Sequence, residues 1–337
     1  MRAFAVTGPR RSTVLEVPRP QAATGQVVVD VARVGVCGTD VEFFTGEMAY
    51  LHTGQAAYPL RLGHEWCGTV AAVGDGVDAA WLGRRVTGDT MLGCGDCHRC
   101  RGGRQHVCER RHEIGIRNGW PGALAEQLPV PATALRALPD AVGPVAGALV
   151  EPGGNALRAA AAAGAAPGRR VLVYGPGTIG LLTALFAVAT GAEVHVAGVT
   201  DASLELAREL GVGPAWRPGD VPDLPFDAVV DATSDAGVPA AALDRVEPAG
   251  RVVYIGLAGR PSTIDTRTLA LKDVTAVGIL SASPGLTGAI EHYADGRVRP
   301  EPLVAATVGL AAVGEVLAGN RPDGAGRGPK IHVDPRR

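Results

Sequence analysis

VLVYGPGTIGLLTALFA, residues 171–187, is the stretch on which the fold turns. Val171 to Tyr174 is a short apolar run suited to a buried parallel strand, and the residues beyond Ile179 have the apolar content of a packed helix. Between them Gly175, Gly177 and Gly180 form G-x-G-x-x-G, with Thr178 and Ile179 inside the motif. That spacing allows a tight turn, lets the backbone approach a pyrophosphate, and brings the helix close to the strand with its N-terminus toward the phosphates. In a chain with 47 glycines the motif alone is weak. Its place between strand and helix makes it specific.

The same rhythm extends outward. RRVLVYG, EVHVAGV, FDAVVDA and GRVVYIG alternate with LLTALFAVATG, SLELARELG and VPAAALDRV. Alternating strands and helices predict a doubly wound parallel sheet over residues 151–288. Residues 1–150 read differently: QVVVDVARVGV, GTVAAVG, RRVTGDT and ALAEQLPVP are short strand-like runs between turn residues, which predicts an antiparallel, barrel-like domain. The closing segment, 289–337, is short-patterned again and ends in PKIHVDP, so it is expected to rejoin the first domain. The fold class is α/β, a β-rich domain joined to a dinucleotide-binding one.

The residue after the second strand bears on cofactor choice. An acid there would grip the ribose diols of NAD, but EVHVAG ends at Gly198, followed by Val199 and Thr200. Without a carboxylate a 2′-phosphate is not repelled and Thr200 can hydrogen-bond to it, so NADP(H) is favoured over NAD(H). The competing reading has Asp201 moving back to serve NAD.

A net charge of −2 gives no electrostatic reason to expect nucleic acid or an anionic membrane as partner. The N-terminus has no apolar signal core, and no window approaches a membrane span, so a cytoplasmic protein is expected. Six cysteines in such a chain point to metal or catalysis before disulfides. Four of them, Cys94, Cys97, Cys100 and Cys108, form C-x2-C-x2-C-x7-C in GCGDCHRCRGGRQHVC. Tight x2 spacings let one loop supply several thiolates to a tetrahedral zinc, and four protein ligands leave no open position, so this zinc is expected to be structural. An iron–sulfur cluster is the alternative.

Together these pieces resemble the zinc-dependent medium-chain dehydrogenases: alcohol, sorbitol, glucose and threonine dehydrogenases. VGVCGTDVEFFTG, GHEWCGTV, the four-cysteine lobe, VEPGGNA, the glycine fingerprint, VVDATSDAG, GRVVYIGL and GPKIHV occur in family order. The resemblance implies a GroES-like catalytic domain, a Rossmann domain, and an active site between them. It implies catalytic zinc ligands Cys37, His64 and Glu151, with Glu65 behind the zinc or replacing its water. It further implies that Thr39 relays the substrate proton, that Asp40 orients its loop, and that Lys330 lies near the pyrophosphate. Thr233 and Gly256 are expected at strand ends facing the cofactor, and Asn155 in the cleft beside carboxamide or substrate. Sulfur, nitrogen and oxygen ligands with one open place suit a catalytic zinc.

Glu151 opens a helix whose next residues are Pro152, Gly153 and Gly154. Glycine costs about 1 kcal/mol against alanine inside a helix. The glycines are read as keeping bulk away from metal and nicotinamide. A glutamate ligand followed by GNA resembles the polyol and threonine branches more than the alcohol dehydrogenases. Arg158 stands where histidine is common, and Glu42 near a position where relatives keep a relay histidine; both leave the proton exit and substrate open. Cys67 is expected to be a buried free thiol, and Trp66 and Trp120 core residues.

The expected activity is hydride transfer between NADP(H), or NAD(H), and a secondary alcohol/ketone pair, with two zincs per chain. A polyol, sugar or aminocyclitol is the first substrate class and a threonine-type amino alcohol the second. A regulatory or structural cofactor-binding protein and a zinc-free quinone reductase are the competing readings. Family members are dimers or tetramers, so a homodimer or homotetramer is expected.

Overall fold

The computed structural model describes residues 1–337. Six parallel strands form one sheet in the order Ala215–Trp216, Glu193–Ala197, Arg170–Tyr174, Phe226–Asp231, Val246–Tyr254 and Thr275–Gly278. Chain order reverses at Arg170–Tyr174, whose neighbours are the second strand on one side and Phe226–Asp231 on the other. Ligands of such sheets bind outside the carboxyl ends of the strands at that reversal. Gly175 follows Tyr174 there and Ala232 follows Asp231. A Cβ at Gly180 would meet the Gly175 carbonyl at 1.9 Å, so only glycine lets the helix Thr178–Ala189 pack this close to the turn.

The second sheet is mixed. Val304–Val308, Lys330–Val333, Gln26–Gly35, Glu65–Val73, Arg85–Gly88 and Leu135–Ala137 pair in that order, and Gln127–Pro131 pairs with Gln26–Gly35 beside Lys330–Val333. The chain's last strand is therefore part of the first domain's sheet. Its register sets His332 opposite Gly35, which is itself opposite Glu65. That crossing places Lys330 beside Glu65.

Each sheet has its own apolar core. Val27, Val29, Phe43, Trp66 and Leu128 fill the first domain, and Val171, Val173, Leu181, Phe186 and Val230 the second. The helix Val150–Ala162 packs between the domains against Thr178–Ala189 and Leu286–Ala294. No helix is long and apolar enough to cross a membrane.

Candidate active site and metal centres

Two groups of metal-ligating side chains form in the structure. In the first, donor atoms of Cys37, His64 and Glu65 lie within 4.8 Å of one another. Cys37 caps the helix Gly38–Thr45, and Asp40 returns its carboxylate to fix the cap, accepting from the Cys37 N–H at 2.9 Å and the Gly63 N–H at 3.2 Å. Asp40 thus orients the loop, as its position suggested. His64 and Glu65 follow at the start of Glu65–Val73. Thr90 secures them from behind, its hydroxyl donating to the His64 carbonyl at 3.2 Å.

Glu151 lines the same cavity but stands outside the closest trio. Its Oε1 accepts from Asn155 Nδ2 at 3.0 Å, one helical turn on, so Asn155 aims the carboxylate. The glycines after Glu151 do not face the metal group, contrary to their reading from sequence. A Cβ at Gly153 would meet Tyr293 Oη at 2.2 Å, and one at Gly154 would meet Ala282 Cβ at 2.9 Å. They admit the helix Leu286–Ala294, whose Tyr293 hydroxyl donates to the Leu149 carbonyl at 3.1 Å. The cost of two helical glycines is thus set by packing at the domain joint.

Lys330 has a partner within the metal group. Its Nζ lies 2.8 Å from both carboxylate oxygens of Glu65 and 3.0 Å from the Val36 carbonyl, fully buried. The register of the last strand delivers it to the metal group, and it lines the same cavity as Gly177 and Thr178.

The electrostatics of this centre favour a cation. Asp40 and Glu65 are buried, with Glu151 and the Cys37 thiol half-buried beside them, against the buried ammonium of Lys330. Burial pushes Glu151 up to about 7, partly offset by His64 and reinforced by Glu65. Burial opposes the charging of His64, but Asp40 and then Cys37 and Glu151 hold its pKa well above the usual range. His64 Nδ1 is buried without a hydrogen-bond partner, 3.7 Å from Asp40. Uncompensated buried anions are costly. A divalent ion ligated by sulfur, nitrogen and oxygen would relieve the excess, so the donor set fits zinc.

This yields a pH prediction for metal-stripped protein. Glu151 and His64 both have folded-state pKa values above their unfolded ones, so the stability they provide at low pH is lost as pH rises. For Glu151 the window runs from about 4.5 to about 7. The thermal midpoint of chelated protein should fall across that window, and Glu151→Gln should flatten the fall.

The second group is the four-cysteine lobe, whose sulfurs also lie within 4.8 Å of one another. Cys97 caps the short helix His98–Arg101, its sulfur accepting from the Cys100 N–H at 3.4 Å, and that contact helps lower its pKa to about 6. Cys108 is buried, with Sγ 3.5 Å from Cys94. Four gathered sulfurs match a closed tetrahedral site. Cys67 is indeed a buried thiol, pushed up to about 12 by burial.

The lobe is tied to both domains through Asp89. Gln105 donates to Asp89 Oδ2 at 3.0 Å, and Ser283 Oγ donates to Oδ1 at 2.7 Å. Ser283 is linked to Ser281 at 2.8 Å, and Arg158 grips the Leu280 and Ser281 carbonyls. Arg158 therefore braces the cofactor-domain wall.

The main cavity, about 840 Å³, joins the metal group to the fingerprint. Cys37, Thr39, His64, Glu65 and Glu151 border it on one side, and Gly177, Thr178, Ile179 and Gly256 on the other. Gly175 and Gly180 shape the turn behind. Thr233 does not reach the cavity: its hydroxyl donates to Asp231 at 2.7 Å, and it supports Gly256, where a Cβ would meet the Thr233 carbonyl at 1.9 Å. Glu42 lies off the cavity too.

Sequence reasoning missed the polar end of this space. Tyr50 and Glu113 line it, and Glu113 Oε1 accepts from Arg111 Nε at 2.7 Å and from the Tyr50 hydroxyl at 3.4 Å. Arg117 lies 5.3 Å over the Tyr50 ring. The available signal was a glutamate flanked by arginines in CERRHEIGIR.

At the outer edge of the parallel sheet, Thr200 caps the helix Asp201–Glu209 and bonds Ser203 Oγ at 2.7 Å. A Cβ at Gly198 would meet Pro176 Cγ at 2.4 Å, so no acid fits there without rearrangement. Arg217, also missed, follows the adjacent strand, donates to the Val199 carbonyl, and pairs with Asp201 at 2.7 Å.

Comparisons with known proteins agree with this layout. The family model described as alcohol dehydrogenase GroES-like domain matches residues 23–140, and that described as zinc-binding dehydrogenase matches 178–294. An L-threonine 3-dehydrogenase of Saccharopolyspora erythraea is 32% identical over 291 residues, 83% of either chain. A putative zinc-binding dehydrogenase of Sinorhizobium meliloti, solved bound to NADP, superposes with TM-score 0.88 at 27% identity over 99% of both chains. An alcohol dehydrogenase of Escherichia coli CFT073, solved with NADH, gives TM-score 0.90 at 26% identity over the same share.

Proposed function

Since the chain belongs to the zinc-dependent medium-chain dehydrogenase family, we propose that it transfers hydride between NADP(H) and a polyol, sugar or aminocyclitol alcohol/ketone pair. The observation that carries this is the single cavity with a ligand-rich metal group on one wall and the fingerprint helix start on the other. Cys37, His64 and Glu151 would hold the catalytic zinc with Glu65 beside them; Cys94, Cys97, Cys100 and Cys108 would hold a structural one. When bound, the zinc supplies Lewis acidity and the nicotinamide supplies or accepts the hydride.

The chain's own residues do the rest. Asp40 holds the Cys37 loop, Lys330 holds Glu65, and Asn155 holds Glu151. Thr39 moves the substrate proton at its hydroxyl toward solvent. The start of Thr178–Ala189 faces the cofactor phosphates with unpaired N–H groups. Glu113 and the Tyr50 hydroxyl offer polar contacts to a hydroxylated substrate, which favours a polyhydroxylated compound over a simple alcohol.

Thr200, Ser203 and Arg217 support NADP(H). The Arg217–Asp201 pair is exposed, 41% and 81% at the side chains, and such pairs contribute only about 0–1 kcal/mol. A 2′-phosphate can therefore recruit Arg217 at little cost. The threonine-type reading rests on the relatives named L-threonine 3-dehydrogenase. The edge strand Thr275–Gly278 has one neighbour only, with Leu271 and Leu280 exposed near its ends, which supports a homodimer or homotetramer joined there.

A turnover panel tests the reading: NADP+ and NAD+ against polyols, sugars, aminocyclitols and threonine. We expect kcat/KM to favour NADP+ and a polyhydroxylated substrate. Preference for NAD+ would assign Asp201 to the ribose, and preference for threonine would select the second reading.

A further inference from the structure

A second cavity, about 390 Å³, opens beside the main one and shares Ile116 with it as a wall. Arg61, Gln55, Asn118 and Trp120 supply its polar lining, and no acidic residue borders it. Arg61 is half-buried, and its guanidinium makes no ion pair and no hydrogen bond with any protein group. The Asn118 amide is already committed to the Arg111 carbonyl at 2.8 Å, and the Trp120 indole N–H to the Pro129 carbonyl at 3.1 Å. Gln55 uses its oxygen to accept from Thr53, which leaves its amide N–H groups free. The uncommitted side-chain groups are thus mostly donors: the Arg61 guanidinium and the Gln55 amide N–H groups, with the remaining Asn118 amide atoms beside them.

A desolvated cation without a counter-ion is unfavourable unless something of opposite charge arrives. Burial alone lowers the Arg61 pKa, with no neighbouring charge to offset it. The guanidinium fork matches planar or tetrahedral oxyanions in a bidentate way. Trp120 adds a broad apolar face for a short carbon skeleton. We propose that this cavity is a binding site for a small organic oxyanion, a carboxylate or a phosphate ester, held by Arg61 and Gln55 against Trp120.

The test is calorimetric titration of full-length, zinc-loaded protein with cofactor saturating, so that the cofactor's own phosphate contacts are filled. Glycerol 3-phosphate and glycerate are the probes, and the tighter of the two identifies the phosphate or the carboxylate as the natural group. One saturable site per chain is expected, weakened at least about tenfold in Arg61→Gln and less in Arg61→Lys, which keeps charge without the fork. An unchanged thermal midpoint shows that each variant folds; if Arg61→Gln is unstable, Arg61→Lys and Gln55→Leu carry the comparison. Absence of saturable binding by either probe overturns the proposal. So does affinity equal to wild type in the folded Arg61 and Gln55 variants.

Discussion

Cys37→Ser and His64→Ala should each leave the protein with one zinc in place of two and lower kcat/KM by about a thousandfold or more. Lewis-acid stabilisation of a developing oxyanion is worth several kcal/mol, and each 1.36 kcal/mol is a factor of ten in rate. The loss should fall on catalysis while the fold persists. His64 Nδ1 has no hydrogen-bond partner to surrender, and the Cys37 loop is held by backbone donation to Asp40. Elemental analysis with steady-state kinetics reads both effects. Glu151→Gln and Glu65→Gln, measured alongside, separate the two carboxylates. Loss of the metal in Glu151→Gln makes Glu151 the third ligand, whereas loss in Glu65→Gln assigns that place to the residue already grouped with Cys37 and His64. Two retained zincs in Cys37→Ser or His64→Ala would refute the centre.

The second large effect belongs to the lobe. Cys108→Ser removes the one buried sulfur among its four cysteines. Structural zinc binding contributes about 10–16 kcal/mol in small zinc-dependent domains, comparable to the whole stability of a folded domain, about 5–15 kcal/mol. We expect one zinc lost, protease cleavage within residues 93–110, and a thermal midpoint lower by many degrees. Cofactor affinity should fall as well, because Gln105 in that lobe is one of the donors holding Asp89, and Asp89 holds Ser283 of the cofactor domain. A variant with unaltered melting and both zincs would show that the sulfurs hold no structural metal.

What the sequence disclosed follows from how local each signal is. The fingerprint 175–180 is contiguous, and each glycine has a steric reason visible within a few residues. The four-cysteine lobe is likewise one loop. Cys37, His64 and Glu151 were readable as candidates only through family order, since their distances along the chain say nothing of their meeting. The pairing of Lys330 with Glu65 was not legible because it depends on strand register: crossing Lys330–Val333 against Gln26–Gly35 is a long-range event, and it decides which buried acid the ammonium reaches. Gly153 and Gly154 failed for the same reason, their neighbours coming from residues 282–293. The short edge strands Ala215–Trp216 and Thr275–Gly278 escaped notice, one for having two residues and the other for lacking a buried face. Arg217 and Glu113 were overlooked in a chain rich in charged surface pairs; only the fold shows which of them face a cavity.

The contact between Asp89 and Ser283 has a mechanical meaning as well. Two domains on a covalent hinge would open and close over the cofactor with the lobe a bystander. Here Asp89, which directly follows the catalytic-domain strand Arg85–Gly88 and is braced by Gln105 of the lobe, joins that sheet to the wall at Leu280 and Ser281. The relative position of the two domains is thereby tied to one buried carboxylate and to the four-cysteine loop that braces it.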